Sequence, residues 1–205
     1  SGEWVWKALN YVVYCEKGWI EIYGVGGAIM SQTSEVVPAT GLNTFVKIVG
    51  VNRKMDSEDG IQCAFVEEMA KLELRNVKQH VKSRSGAIVG TTYADILCVN
   101  VAYEGGYLKG NSLAAHSRMV VKGVKQVVSE GFFCLLDTQS YFEARDIENL
   151  QLAAGVELKN GSEAVLVNWT TTNNDGVLID SVIGQNSVVV RNCQTINDTA
   201  AEFLK

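Results

Sequence analysis

The sequence is poor in proline and histidine, with only Pro38, His80 and His116 in 205 residues. Two histidines leave little material for His-rich metal sites or for imidazole catalysis. No run of 18 apolar residues occurs, so we expect no membrane-spanning helix. Because the chain makes its turns with 19 glycines and with Asn and Asp instead of proline, we do not expect a loop-rich jelly roll.

Paired cysteine motifs are also missing. The five cysteines are odd in number and widely spaced, and none forms a CxxC or zinc-type cluster. They are Cys15, Cys63, Cys98, Cys134 and Cys193. Each stands among apolar residues, so we expect small buried side chains and an intracellular, reducing compartment, the cytoplasm or a host cytoplasm for a viral protein.

The overall composition is that of a globular protein, with 47% hydrophobic and 20% charged residues and a net charge of −5. The length suits one domain over residues 1–205. A shift in periodicity near residue 155 suggests a subdivision into an α/β part, 1–155, and a β-hairpin part, 156–205. No repeat of fixed period is apparent.

The clearest predicted helix covers residues 60–82, where Asp59 is a good N-cap and Gln62 completes a capping pair. At 100° per residue its apolar side chains form two opposite stripes. The first stripe contains Cys63, Val66, Ala70, Leu74, Val77 and Val81, and the second Ile61, Phe65, Met69 and Leu72. A helix with two apolar stripes packs on both sides. The second stripe therefore lies either inside the domain or against another subunit, and we expect it, with Trp4 and Trp6, to form an oligomer interface.

The remaining pattern mixes strands with weaker helices. Helices are predicted for 112–129, 142–154 and 199–204, and strands for 19–23, 45–51, 86–103 and 131–136. Asn160-Gly161 between two apolar segments is typical of a β-hairpin, and 177–183 with 187–191 resembles another strand pair. The predicted fold is α+β: a mainly antiparallel sheet, two to three packed helices and a hairpin-rich C-terminal third.

Two segments resemble ligand-binding loops only in part. The glycine-rich segment 24–27 has Ile29 where a dinucleotide fingerprint needs Gly or Ala, and no clear helix follows it. The acidic segment 56–60 would place Met55 at the first ligand position of a calcium loop. We expect neither a cofactor nor a metal.

A basic stripe follows residues 71–84 and contains Lys71, Arg75, Lys78, Lys82 and Arg84. Such a stripe could follow a phosphate backbone. However, the stripe lacks aromatic neighbours for base stacking, and the chain is acidic overall. A solvated face is the favoured interpretation, with nucleic-acid binding as an alternative.

These observations favour a non-enzymatic structural protein that assembles with itself, a profile that a viral or phage structural subunit would fit. One alternative is a small-molecule enzyme with a site near His80 and His116, working with a cysteine. Another is an RNA- or partner-binding module that uses the basic stripe. No catalytic residue can be assigned from the sequence.

Overall fold

The computed structural model describes residues 5–8, 17–24, 29–32, 37–40, 44–55, 62–81, 85–104, 108–128, 130–151, 155–173 and 178–197. Every regular element in these ranges is a β-strand, and none is a helix. The predicted α+β fold is therefore wrong. No described segment forms a helix long and apolar enough to cross a membrane.

The described strands, in chain order, are β1 (Val5–Ala8), β2 (Gly18–Tyr23), β3 (Ile29–Gln32), β4 (Val37–Thr40), β5 (Thr44–Val49), β6 (Asn52–Met55), β7 (Gln62–Glu67), β8 (Lys71–Arg75), β9 (Lys78–Val81), β10 (Ser85–Gly90), β11 (Asp95–Val99), β12 (Ala102–Glu104), β13 (Leu108–Leu113), β14 (Arg118–Lys122), β15 (Lys125–Val128), β16 (Glu130–Leu136), β17 (Tyr141–Gln151), β18 (Val156–Lys159), β19 (Glu163–Asn173), β20 (Ile179–Ile183), β21 (Ser187–Arg191) and β22 (Gln194–Asn197).

All pairings among these strands are parallel. The first stack runs β2-β5-β8-β11-β14-β17-β19-β21, and the second runs β1-β3-β6-β9-β12-β15 and continues through the later parts of β17 and β19 to β22. The third stack runs β4-β7-β10-β13-β16-β18-β20. Because the chain visits the three stacks in turn and returns one strand further along, the fold is a β-solenoid. The strands before and after residue 155 belong to the same stacks.

The core is built by alternation along each strand. In the first stack, Leu72 and Leu74 of β8 and Ile96 of β11 are fully buried, whereas the residues between them face outward. Successive side chains of a strand point to opposite faces, so inward residues from neighbouring strands form continuous columns inside the solenoid. An aromatic cluster of Phe133, Phe142 and Trp169, with ring centroids 4.8–6.2 Å apart, fills the later part of that interior.

Residues 62–81 form β7, β8 and β9 instead of the predicted helix. Glu68 and Met69 have φ angles of 53° and 66°, and this left-handed pair ends β7 and reverses the chain direction. The helical stripes arose because inward residues of short strands, separated by a turn, can also recur at intervals of four. The stacking of strands from different repeats stabilises strands here instead of a helix, and a short stretch of sequence gives no information about that stacking.

The other predicted helices are also replaced. Residues 112–128 contribute to β13, β14 and β15, and residues 142–151 belong to β17. The helix predicted for 199–204 lies outside the described residues. Asn160 and Gly161 have the positive φ angles expected of a turn, 51° and 78°. Their flanking strands β18 and β19 nevertheless belong to different stacks, so the predicted hairpin is not formed.

A structural repeat exists, contrary to the prediction. Side chains that hydrogen-bond to each other along the solenoid are 22, 23 or 24 residues apart in sequence. Each repeat places a small or polar residue before the strand of the first stack and Asn, Asp or Gly after it. The period is hard to see in the sequence because the repeats vary in length. It is also obscured because an inward position can hold any apolar residue.

The corner between the first and second stacks has a left-handed residue in each of the seven repeats from β5 onward. Its residues are Gly50, Asn76, Asn100, Gly123, Asp146, Asn168 and Asn192, with φ between 51° and 67°. Asparagine and glycine tolerate this conformation better than other residues. The side chains also bond along the axis: Asn168 donates to Asp146 at 2.9 Å and accepts from Asn192 at 2.8 Å.

Buried serines stabilise the turn between the third and first stacks. Ser117, Ser140 and Ser162 each donate the hydroxyl to the backbone carbonyl three residues earlier, at 2.6–2.7 Å. The Ser117 hydroxyl also accepts the amide of Ala94 at 3.1 Å from the neighbouring repeat. These bonds satisfy buried polar groups and lock each repeat to the next.

Candidate functional site

The outward side of the first stack carries a continuous line of charged and aromatic side chains, which we call the outer row. Its members pair in register across neighbouring strands and are Trp19, Phe45, Lys71, Asp95, Arg118 and Tyr141. Neighbouring strands lie about 4.8 Å apart, so the row is about 24 Å long. The strand register alone determines this order.

Three charged side chains occupy the middle of the outer row. The Asp95 carboxylate lies 3.7 Å from the Lys71 ammonium and 3.4 Å from the Arg118 guanidinium. All three side chains are partly exposed, so each pair contributes little to stability. The triad instead sets a fixed pattern of alternating charge on the surface.

Aromatic side chains lie at both limits of the row. Trp19 is 70% exposed and contacts Phe45 edge-on, with ring centroids 5.5 Å apart and planes at 69°. Tyr23, on the same strand, is 54% exposed and has the Lys47 ammonium 5.6 Å from its ring centroid. At the other limit, the Arg118 guanidinium lies 5.6 Å from the Tyr141 ring centroid. Large exposed aromatic surface of this kind marks interaction sites.

An open groove of about 320 Å³ lies along the middle of the outer row. It is lined by Phe45, Lys71, Leu72, Glu73, Asp95, Leu97, Arg118 and Val120. Two cations and two carboxylates therefore meet around an apolar floor. Such a mixture of apolar surface and a few placed polar groups is typical of binding sites.

Two carboxyl groups beside the outer row, those of Glu21 and Glu143, have lowered pKa values. The Tyr23 hydroxyl hydrogen-bonds the Glu21 carboxylate at 2.7 Å and lowers the pKa of that carboxyl. The Arg145 guanidinium does the same for Glu143, bonded at 2.6 Å. Burial and the bond to Glu143 raise the pKa of Tyr141. These groups are suited to accept and donate hydrogen bonds rather than to exchange protons near neutral pH.

The three residues of the predicted oligomer interface whose side chains are described lie in different surroundings. Leu72 is buried in the core, Met69 is exposed in the turn after β7, and Phe65 is half-buried on β7 of the third stack. Trp6 lies in β1, and its side chain is outside the description, as are the residues Ile61 and Trp4. The helix that was to align these side chains is absent.

The predicted basic stripe is similarly divided. Lys71 and Arg75 lie on the outward side of β8, and their partners are the carboxylates of Asp95 and Glu73. Lys78 lies on β9 of the second stack, while Lys82 and Arg84 fall outside the described residues. Lys71 and Arg75 of the stripe are thus each paired with a carboxylate.

The two histidines lie at different places in the solenoid. His80 is in β9, with its side chain outside the description, and His116 is in the two-residue turn before β14. The exposed His116 ring stacks on Tyr93, with centroids 4.9 Å apart and planes at 10°. Burial raises the pKa of the Cys98 thiol to about 12 and raises that of Cys134 as well. Neither of these thiols is therefore an activated nucleophile.

Sequence reasoning missed the outer row and its groove. Trp19, Asp95 and Arg118 lie 23 to 99 residues apart in the chain, and only the stacking register brings them into line. A usable signal was present: Asn, Asp or Gly follows a five- or six-residue alternating segment again and again. In the described ranges, no three His, Cys, Asp or Glu side chains are grouped closely enough to hold a metal ion.

Comparisons with protein-family models, with curated proteins and with solved structures give no match to this chain.

Proposed function

We propose that this chain is a non-enzymatic structural protein that associates with itself by stacking solenoid ends. Parallel strands present unpaired backbone groups at each end of a stack, and such edges are templates for further strands. Among the described strands, β21 pairs only with β19, and β2 pairs only with β5. The two edges have complementary hydrogen-bonding directions, as any two successive strands of the stack do.

The exposure of Val190 is the observation that carries the proposal. Val190 occupies the same inward column as Leu166 and Ala144, both of which are fully buried. Val190 itself is 45% exposed. No strand in the described part of the chain covers its inward position in β21 as the earlier repeats are covered, and another strand would bury it.

The opposite edge offers residues of matching chemistry. Ile20 and Ile22 of β2 are partly buried and lie in the columns that continue to Val188 and Val190. Stacking β2 of a second copy on β21 would place Ile20 over Val188 and Ile22 over Val190. The contact is heterologous, since two different surfaces meet, and repeating it would produce an open linear assembly.

The proposal predicts that Val190→Lys abolishes association, because a charge would have to be buried at the contact. The measurement is solution mass by light scattering over a concentration series. The wild-type mass should rise with concentration without reaching a closed oligomer, while Val190→Lys should remain monomeric with an unchanged far-ultraviolet spectrum.

The neighbouring residue provides a matched control. Val189 is 44% exposed on the same strand, but it points outward and would stay outside the contact. Val189→Lys should therefore associate as the wild type does. A wild type that is monomeric at every concentration, or equal effects of the two substitutions, would refute end stacking.

A further inference from the structure

We propose that the outer row and its groove bind an uncharged polysaccharide that lies along the solenoid axis. This site is on the side of the solenoid, so the inference does not depend on the stacking of its ends. Three features carry it: an exposed aromatic platform, a set of charges that sums to zero, and a surface that repeats with each strand.

The aromatic platform is formed by Trp19 and Tyr23, which point outward from β2, with Phe45 beside Trp19. Tyr23 lies about 13 Å from Trp19 along the strand, which is across the solenoid axis, so a polymer that follows the outer row stacks on Trp19 and not on Tyr23. Because Phe45 meets Trp19 at 69°, that contact does not cover the indole in parallel. One face of a pyranose ring carries mainly C–H bonds, whose positive edges are attracted to the negative face of an aromatic ring. The platform is therefore suited to stack a sugar ring.

The groove beside this platform has no net charge, since Lys71 and Arg118 balance Glu73 and Asp95. A charged ligand would have to compete with existing ion pairs and would meet like charge as well as unlike. A sugar hydroxyl both donates and accepts, so it can bridge a carboxylate and a cation without separating them. An arginine has five N–H donors and a carboxylate about four acceptor sites, so an ion pair leaves capacity for hydroxyls.

The shape of the site favours a polymer over a compact ligand. The groove is open, its floor contains Leu97 and Val120, and the outer row continues beyond it over about 24 Å. Each strand presents outward side chains at the same positions as its neighbours, and a chain of repeating units can meet such a surface repeatedly. Nucleic acid does not fit, because binding a phosphate backbone requires a net positive surface.

The test is native gel electrophoresis of the full chain in gels that contain a soluble polysaccharide. The neutral probes are mixed-linkage β-glucan, xyloglucan, galactomannan and dextran, and the charged probes are polygalacturonate and heparin. At least one neutral polymer should retard the protein. Trp19→Ala should raise the dissociation constant by about tenfold, the size expected for losing one aromatic contact.

Tyr93→Ala is the matched control, because Tyr93 is also a half-exposed aromatic residue but lies in the turn before β11, outside the outer row. Its retardation should equal that of the wild type. The Val190→Lys variant should bind the polymer normally, which separates this inference from end stacking. The proposal would be overturned if only charged polymers retard the protein, or if no polymer does. It would also be overturned if Trp19→Ala and Tyr93→Ala lose the retardation equally. If peptides selected for binding to the protein bind only when Trp19 is present, and no polysaccharide binds, the partner is a protein and the proposal is overturned.

Discussion

At the scale of single residues, the corner asparagines show how this chain specifies its turns. Asn168 has a φ of 53° and a side chain bonded to both neighbouring repeats. Two separate requirements meet at this position: a tolerance for left-handed backbone and an amide that both donates and accepts. Glycine satisfies the first requirement only, and alanine satisfies neither.

This difference gives an ordered prediction for substitutions at position 168. Asn168→Ala should lower the free energy of unfolding by about 2–3 kcal/mol, from left-handed strain plus lost hydrogen bonds. Asn168→Gly should cost about 1 kcal/mol, because the strain is absent. Denaturant unfolding measures both values, and a larger cost for Gly than for Ala would contradict the role assigned to the corner.

A second residue-scale prediction concerns pH. The Asn160 amide donates to the Asp137 carboxylate at 2.6 Å, and this bond is the largest cause that lowers the pKa of Asp137. Because the folded pKa lies below the unfolded value of about 4, the unfolded chain binds more protons between the two. The stabilisation is present above about pH 4 and is lost as the pH falls through the folded pKa.

Asn160→Gly removes this donor and keeps the positive φ accessible, so the pKa of Asp137 should rise towards its ordinary value. Carboxyl-detected NMR titration measures the pKa directly. Asn100→Gly is the control, because Asn100 bonds the Asn76 amide at 3.1 Å and no carboxylate. An unchanged Asp137 titration in Asn160→Gly would contradict the assigned cause.

At the scale of elements, the alternation of inward and outward side chains decides which substitutions matter. In β11, Ile96 is fully buried, and the adjacent Leu97 points outward into the groove. Ile96→Ala should lower the free energy of unfolding by about 2–5 kcal/mol, because it leaves a cavity in the core. Leu97→Ala should cost less than about 1 kcal/mol. Equal costs in denaturant unfolding would contradict the register of the first stack.

The elements also show what could be predicted from the sequence. The strands expected near 19–23, 45–51 and 131–136 are present, because each segment contains β-branched or aromatic residues that favour strands. The turn at Asn160-Gly161 has the expected left-handed residues. The pairing partners were not predictable, because each strand bonds with others 21–27 residues away instead of with its sequence neighbour. Without that register, neither the outer row nor its groove could be located.

At the scale of the whole molecule, a solenoid differs from a globular α+β domain in how its parts contact each other. Each repeat packs only against its two neighbours, so stability is close to a sum of repeat and interface contributions. Each edge strand of the stack therefore presents the same kind of surface that an interior strand buries against the next repeat. The association that we propose through those edges would use the same kind of contact that joins Leu166 to Val190 within one chain.

The most direct test of end stacking is complementation between two edge variants, measured by sedimentation velocity. Ile22→Lys blocks the β2 edge and leaves β21 intact, while Val190→Lys blocks β21 and leaves β2 intact. Each variant alone should be monomeric, and an equimolar mixture should form a heterodimer that grows no further. A mixture that stays monomeric, or either variant associating alone, would contradict the head-to-tail contact.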